Sequence, residues 1–309
     1  MRSEPIKAEL HPRNRFRGGY DFPQLIANCP GLGNYVAKNR YGSSSVDFSD
    51  PAAVRMLNQA LLKSAYGLQF WDIPPGHLCP PVPGRSDYAH LLADLLSGGG
   101  TSPIPRCEGV RIMDIGVGAN VIYPLIGASE YGWSFVGADI DPAALKWGRD
   151  LVAANPTVSG LIELRLQTNP AACFTGVIQA GEKFRATMCN PPFHASPQEA
   201  AAGSRRKVGN LSRKPMSTSA PPILNFGGKS GELWCPGGEL AFVQRMILES
   251  VHFQKNCQWF TSLISKSAHL PRLHQTLRDV KAAEVRTMEM AQGQKKSRIL
   301  AWTFGNATA

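Results

Sequence analysis

The stretch that decides the fold is VRIMDIGVGAN, Val110 to Asn120. Its first half, VRIMDI (110–115), is a short apolar run of the kind that a strand buried on both faces uses. Its second half is a glycine turn. Gly116 and Gly118 let the backbone bend sharply and approach a ligand without Cβ interference. Downstream, a helix is predicted over about 120–128, a strand over WSFVGADI (133–140), and a helix from Pro142 to Ala154. LIELRLQ (161–167) and FRATMCN (184–190) supply a third and a fourth strand. This alternation predicts an α/β fold with a mostly parallel sheet and helices on both faces. Further on, the pattern predicts a helix over 239–250, a strand over CQWFTSLIS (257–265) and a helix over 270–280. Two terminal strands, about 282–289 and 297–304, are joined by the basic turn QGQKKSR.

Upstream of Val110 the sequence is less regular. Asp50 as a cap with Pro51 in the first turn starts a helix whose Val54, Leu57, Leu61 and Leu62 share a face. WDIPPGHLCPPVPGR (71–85) is too proline-rich for regular structure, and a short helix is expected over 86–96. Residues 1 to about 45 read as irregular. The expected organisation is an N-terminal, partly helical extension over 1–100 and an α/β domain over 101–309. An insertion over 194–231 carries Arg205, Arg206, Lys207, Arg213 and Lys214, with Glu199 its only acidic residue.

In parallel α/β sheets, ligands bind beyond the carboxyl ends of the strands, where strand order reverses. Asp139 ends the second strand, where a carboxylate can accept hydrogen bonds from both hydroxyls of an adenosine ribose. The third glycine of a dinucleotide fingerprint is replaced by Val121, which weakens a nicotinamide reading. On this motif alone, a purely structural glycine turn stays open. The second motif is Asn190, Pro191, Pro192 and Phe193, directly after the fourth strand and on the same rim. An aromatic amine is a poor nucleophile because its lone pair is delocalised. Methylating it requires acceptors for both N–H bonds, alignment and exclusion of water. The Asn190 side chain and the Pro191 carbonyl can be those acceptors, the prolines stiffen the turn, and Phe193 can stack on a flat base. Alone, the same four residues also make an ordinary Asn-Pro turn.

Composition narrows the classes. The chain has 309 residues, 43% hydrophobic and 18% charged, enough for a buried core and unlike a disordered chain. Its net charge of +10 favours a polyanionic partner. Arg13, Arg15 and Arg17 alternate with Phe16 and Tyr20, a pattern able to grip phosphates and stack on bases, or to form a solvated basic arm. The seven cysteines are dispersed without a C-x-x-C, which argues against a disulfide framework and a zinc site. No apolar stretch is long enough for a membrane helix, so a cytoplasmic protein with no membrane partner is expected.

DIGVGAN and NPPF on this scaffold resemble the class I adenine-N6 methyltransferases, and more specifically the large-subunit ribosomal RNA methyltransferase F family. HPRNR, SVDF, WDIP, LCPPVPGR-DY, EYGW, NFGG, ELWC-GGE and EMAQGQK-SR extend the resemblance from His11 to about Phe304. The resemblance implies a seven-stranded class I methyltransferase sheet with one antiparallel strand. It implies S-adenosyl-L-methionine as donor and S-adenosyl-L-homocysteine as product. The substrate it implies is 23S rRNA, free or in a large-subunit assembly intermediate, methylated at N6 of adenine 1618. Carried over by position, Arg85 holds the cofactor's carboxylate, and Asp114, Gly116, Gly118 and Asn120 form the cofactor floor. Asp139 binds the ribose, Gln167 or Thr168 lies by the adenine, and Asn190 to Phe193 hold the target base. A monomer is expected. Two other readings share these motifs: methylation of a protein glutamine amide, and a non-catalytic RNA-binding assembly factor. DNA adenine methylation shares the motif as well.

Overall fold

Short apolar segments separated by glycine and proline fold into nine strands and eight α-helices among the described residues. The structure, a computed structural model, describes residues 9–39, 41–107, 109–199, 233–292 and 295–305. A small hairpin pairs β1 (Val36–Lys38) with β2 (Ser44–Val46). The main sheet contains β3 (Arg111–Ile115), β4 (Ser134–Asp139), β5 (Ile162–Leu166), β6 (Phe184–Cys189), β7 (Cys257–Ile264), β8 (Glu284–Gln292) and β9 (Lys295–Thr303). Their order across the sheet is β5-β4-β3-β6-β7-β9-β8. β5 through β7 are parallel neighbours, and β9 runs antiparallel to both β7 and β8. The order reverses at β3, which lies between β4 and β6. That is the switch point at which such sheets open a crevice.

The helices are α1 (Phe22–Asn28), α2 (Pro51–Tyr66), α3 (Val82–Leu96), α4 (Ile122–Tyr131), α5 (Pro142–Ala153), α6 (Pro156–Ser159), α7 (Gly238–Ser250) and α8 (Leu270–Asp279). Local chemistry explains their starts. The carboxylates of Asp21, Asp50 and Asp141 accept backbone N–H bonds from Gln24, Ala52 and Ala143 at the starts of α1, α2 and α5. Two expectations are corrected. Residues 1–45 are not wholly irregular, because α1, a 3-10 helix (Pro30–Tyr35) and the β1–β2 hairpin lie there. The helix expected from Ser86 begins at Val82, because Pro83 falls in the first turn, where its missing N–H costs no hydrogen bond.

Two apolar layers cover the sheet. One runs from Leu10 and Phe16 through α2, α3 and α4 to Ile299 and Ala301. The other, on the opposite face, contains Met113, Val136, Phe174, Val243, Phe260 and Trp302. The first layer is continuous across residue 100. α3 is also tied into the sheet by the Tyr88 hydroxyl, which bonds Thr261 Oγ1 at 2.8 Å and accepts the Cys189 N–H at 3.3 Å. No helix among the described residues is long and apolar enough to cross a membrane.

Candidate active site

The register of the central strands places the site. Ile115 pairs with Ala138 on one side and with Cys189 on the other. The next residue of each strand is Gly116, Asp139 and Asn190, so these three stand in a row along one rim. Adjacent strands lie about 4.8 Å apart, and the row therefore spans roughly 10 Å. Gly116, Gly118, Asn120, Asp139, Gln167, Asn190, Pro191, Pro192 and Arg85 all line one cavity of about 580 Å³. The glycine bend and the Asn-Pro-Pro corner thus open on the same space.

The bend is built from left-handed backbone. Gly116 (φ +72°) and Gly118 (φ +63°) adopt it freely, and Val121 adopts it at φ +48°. Gly116 and Val117 donate their N–H groups to the Ala138 carbonyl at 2.9 and 3.0 Å. Gly118 donates to Asp139 Oδ2 at 2.8 Å, and Asp141 N–H donates to Asp139 Oδ1 at 2.9 Å. Asp139 is thereby fixed at the end of β4. Burial pushes its carboxyl above the ordinary value against these two backbone donors. The proline-rich 71–81 loop lies over the bend, pinned by two tryptophans. Trp71 Nε1 donates to the Asn120 carbonyl at 3.0 Å and Trp147 Nε1 donates to the Asp72 carbonyl at 3.1 Å.

At the other end, Arg85 emerges from the first turn of α3 and is 8% exposed. Its guanidinium donates to the Tyr123 hydroxyl at 2.7 Å, and its Nε is buried without a partner. Asp114 is 1% exposed, and both carboxylate oxygens lack a partner. Burial raises its pKa to about 8, the nearby charge of Asp139 adds to this, and Arg85 opposes it. Asn190 Oδ1 is also buried and has no partner among the described residues. An unsatisfied acid, an unsatisfied guanidinium group and an unsatisfied amide oxygen are costly unless a ligand completes them.

Several sequence expectations are corrected by position. Thr168 is exposed and does not line the cavity. Gln167 lines it, but its amide is committed: Nε2 donates to the Thr175 carbonyl and Oε1 accepts from Asn169 N–H, both at 2.9 Å. Asp114 sits behind the bend and is not part of the cavity wall. Phe193 is turned away from the large cavity. It lines a second cavity of about 50 Å³ with Leu263 and Met290, and Asn190 and Arg85 border both spaces. The arginine arm is engaged inside the protein. Arg13 donates to Asp94 Oδ1 and the His90 carbonyl, each at 2.8 Å, Arg15 donates to Glu130 Oε2 at 2.8 Å, and Phe16 is buried in the core. Arg17 is half-buried, and its Nε is enclosed without a partner. Arg205, Arg206, Lys207, Arg213 and Lys214 lie outside the described residues.

Sequence reasoning missed Tyr123, His77, Phe242, Arg245 and Trp234, which also line the large cavity. They come from segments distant in sequence, and no spacing assigned any of them a role. The position of Tyr123, one turn after the glycine bend, and that of Trp234, within the ELWC-GGE segment, offered the only signals.

Comparison with known proteins agrees with this geometry. The model of a family described as RNA methyltransferase matches residues 4–306. The chain is 55% identical over 301 residues to the ribosomal RNA large subunit methyltransferase F of Serratia proteamaculans, covering 97% of this chain and 89% of that one. It is 54% identical over 309 residues to the protein of the same name from Ectopseudomonas mendocina, covering 100% and 92%. Among solved structures it is similar to the METTL16 catalytic domain in complex with MAT2A 3′UTR hairpin 1, with a TM-score of 0.79, 33% identity and 96% of each chain covered. It is also similar to the N-terminal domain of human METTL16 in complex with SAH, with a TM-score of 0.74, 30% identity, and 96% and 98% covered. A full-length family match, relatives above 50% identity and a class I methyltransferase sheet with both motifs on one rim lead to one assignment: the chain belongs to the RNA methyltransferase family.

Proposed function

We propose that this RNA methyltransferase uses S-adenosyl-L-methionine to methylate the exocyclic N6 amine of one adenine in large-subunit ribosomal RNA, adenine 1618 of 23S rRNA. The observation that carries the reading is the unpartnered Asn190 Oδ1, buried in a stiff Asn-Pro-Pro turn and facing the cavity that the glycine bend also lines. The relatives named for ribosomal RNA and the net charge of +10 support RNA as substrate over a protein glutamine amide.

The residues present fit the donor. Arg85 on the cavity wall matches the carboxylate of an amino acid, and the charge of Asp114, buried behind the wall, favours the ammonium without touching it. Asp139, at the end of β4, matches a ribose. When bound, S-adenosyl-L-methionine supplies an electrophilic methyl on a sulfonium, leaving S-adenosyl-L-homocysteine. Asn190 Oδ1 and the Pro191 carbonyl accept the two amine protons, which localises the lone pair and points it along the transfer axis. The prolines hold that geometry without reorganisation, and near-attack positioning of this kind contributes ~7–11 kcal/mol. The proton lost from the methylated amine needs no dedicated base, because the acceptors that orient it can pass it to water.

The test is mass mapping of 23S rRNA nucleosides from cells with and without the gene, paired with the Asn190→Ala variant. Loss of one N6-methyladenosine in both is expected. An unchanged nucleoside map in the deletion strain defeats the reading.

A further inference from the structure

Trp234 is the one aromatic residue of the 233–235 segment, and it shares the large cavity with Asn190, Pro191 and Pro192. Its position is fixed from both sides. His194, the residue after the NPPF turn, donates its N–H to the Leu233 carbonyl at 3.1 Å, and Cys235 N–H donates to the His194 carbonyl at 3.1 Å. These bonds form an isolated parallel bridge between His194 and Trp234. Gly238, at φ +62°, lets the chain turn into α7 against the same segment: a Cβ there would lie 3.1 Å from Ala195 N and 3.2 Å from the His194 carbonyl carbon. The indole is thus strapped to the turn that carries Asn190. Its Nε1 is buried and has no hydrogen-bond partner among the described residues. An indole N–H can only donate, and a buried donor without an acceptor is costly.

The acceptor must come from a ligand, and geometry selects which. In the proposed reading Asp139 on β4 would hold the donor molecule's adenosine, with Gln167 at the end of β5. β4 lies two strands from β6, and β5 lies three, roughly 10 and 14 Å at normal strand spacing. Trp234 belongs to the β6 end, where the methionine carboxylate is matched by Arg85 and the sulfonium offers no acceptor. What remains at that end is the target base. With both amine protons accepted by Asn190 and Pro191, the base offers the ring nitrogens flanking its amine, N1 and N7, as acceptors. Phe193 is turned into the smaller cavity, and Trp234 is one of the aromatic residues that line the larger one, with Tyr123 and Phe242.

We infer that Trp234 reads the target adenine, its indole N–H donating to one of the two ring nitrogens beside the amine. The inference rests on the adenine reading above. It makes Trp234 a specificity residue, since the bond demands an acceptor next to the amine as well as the amine itself.

The experiment is methyl transfer to a target RNA carrying adenine, 1-deazaadenine or 7-deazaadenine at the modified position, by the wild-type protein and by Trp234→Phe. Phenylalanine keeps an apolar ring and removes the N–H. The wild-type enzyme is expected to lose roughly tenfold in kcat/KM on one deaza analogue, and Trp234→Phe to lose a similar factor on adenine. The two losses must not add: Trp234→Phe treats adenine and that analogue alike. Thermal unfolding and donor affinity of the variant are expected to match the wild type. Independent, additive losses overturn the inference, as does a variant that discriminates between the bases as the wild type does. Weakened donor binding with unchanged base discrimination also overturns it, since the N–H then serves the cofactor. If the wild-type enzyme transfers no methyl to adenine at all, the adenine reading fails instead, a result distinct from all of these.

Discussion

Asn190 and Asp114 are both buried polar groups left incomplete, and each makes its own prediction. In the reading proposed above, Asn190 acts on the amine, and Arg85, with which it shares both cavities, acts on the donor. Asn190→Ala is therefore expected to abolish transfer in single-turnover assays while calorimetry finds donor affinity within a factor of about two of wild type. In the same reading Asp139, held by Gly118 and Asp141 N–H groups at 2.8 and 2.9 Å, binds the donor. Asp139→Ala is expected to weaken donor binding by ~1.5–3 kcal/mol, typical of a hydrogen bond to a charged group. Equal affinity in variant and parent defeats that role. Asp114 makes a pH prediction. Its carboxyl ionises near 3.8 in an unfolded chain and near about 8 in the fold. Between those values the folded state holds one more proton, so this group makes stability fall as pH rises through that window. A ligand ammonium in the adjoining cavity opposes this shift by favouring the carboxylate. Donor binding at pH 7 is thus expected to release up to one proton, read as a dependence of binding heat on buffer ionisation enthalpy. Asp114→Asn should erase that dependence; its persistence would place the proton elsewhere.

Elements explain how far the sequence could be read. β3 to β7 were legible within one or two residues, because strands buried on both faces must be short, apolar and bounded by polar or glycine residues, as VRIMDI and FRATMCN are. The Gly116, Asp139 and Asn190 rim followed from parallelism alone. The start of α3 was not legible, because proline in WDIPPGHLCPPVPGR signals irregularity everywhere except the first helical turn, and only packing shows which proline occupies it. Nor was the orientation of Phe193, set by Leu263 and Met290 from strands far along the chain. The missing third glycine of the bend also has an explanation that only packing reveals. Val121 and Val117 take the space there, and the glycines have moved to their neighbours. A Cβ on Gly148 of α5 would lie 2.9 Å from Val121 Cγ2, and one on Gly137 of β4 would lie 2.8 Å from Leu164 Cδ2 and 2.9 Å from Val117 Cγ2. Gly137→Ala is therefore expected to lower stability by ~1–3 kcal/mol in urea unfolding, the usual cost of overpacking. Because Val117 lies in the bend itself, the same variant should bind donor more weakly. A variant as stable as wild type would mean the strand shifts without resistance.

At the scale of the whole molecule, the charge of +10 is divided between structural and available cations. The alternation of arginine and aromatic residues in 13–20 looked like a nucleic-acid arm, yet its side chains lock the N-terminus onto α3 and α4. His11 Nε2 and Arg13 both bond Asp94, Arg13 Nε also donates to the Tyr131 hydroxyl at 3.2 Å, and Asn14 Nδ2 donates to Asp87 Oδ1 and the Pro83 carbonyl. Pattern could not separate the two roles, because both need guanidinium groups beside rings; what differs is whether carboxylates from α3 and α4 reach them. The distinction is measurable. Each phosphate contact on single-stranded RNA contributes about 0.7 to the slope of log K against log salt. Arg13→Ala removes no phosphate contact, so it should lower thermal stability, by ~1–3 kcal/mol for a hydrogen-bonded, part-buried charge, and leave the salt slope of RNA binding unchanged. Replacing Arg205, Arg206, Lys207, Arg213 and Lys214 together with glutamine should do the opposite. Stability should hold, and the slope should flatten by up to about 3.5 if all five meet phosphates. A slope that responds to Arg13 and ignores the five would return RNA contact to the N-terminal arm and leave the 205–214 cations without that role.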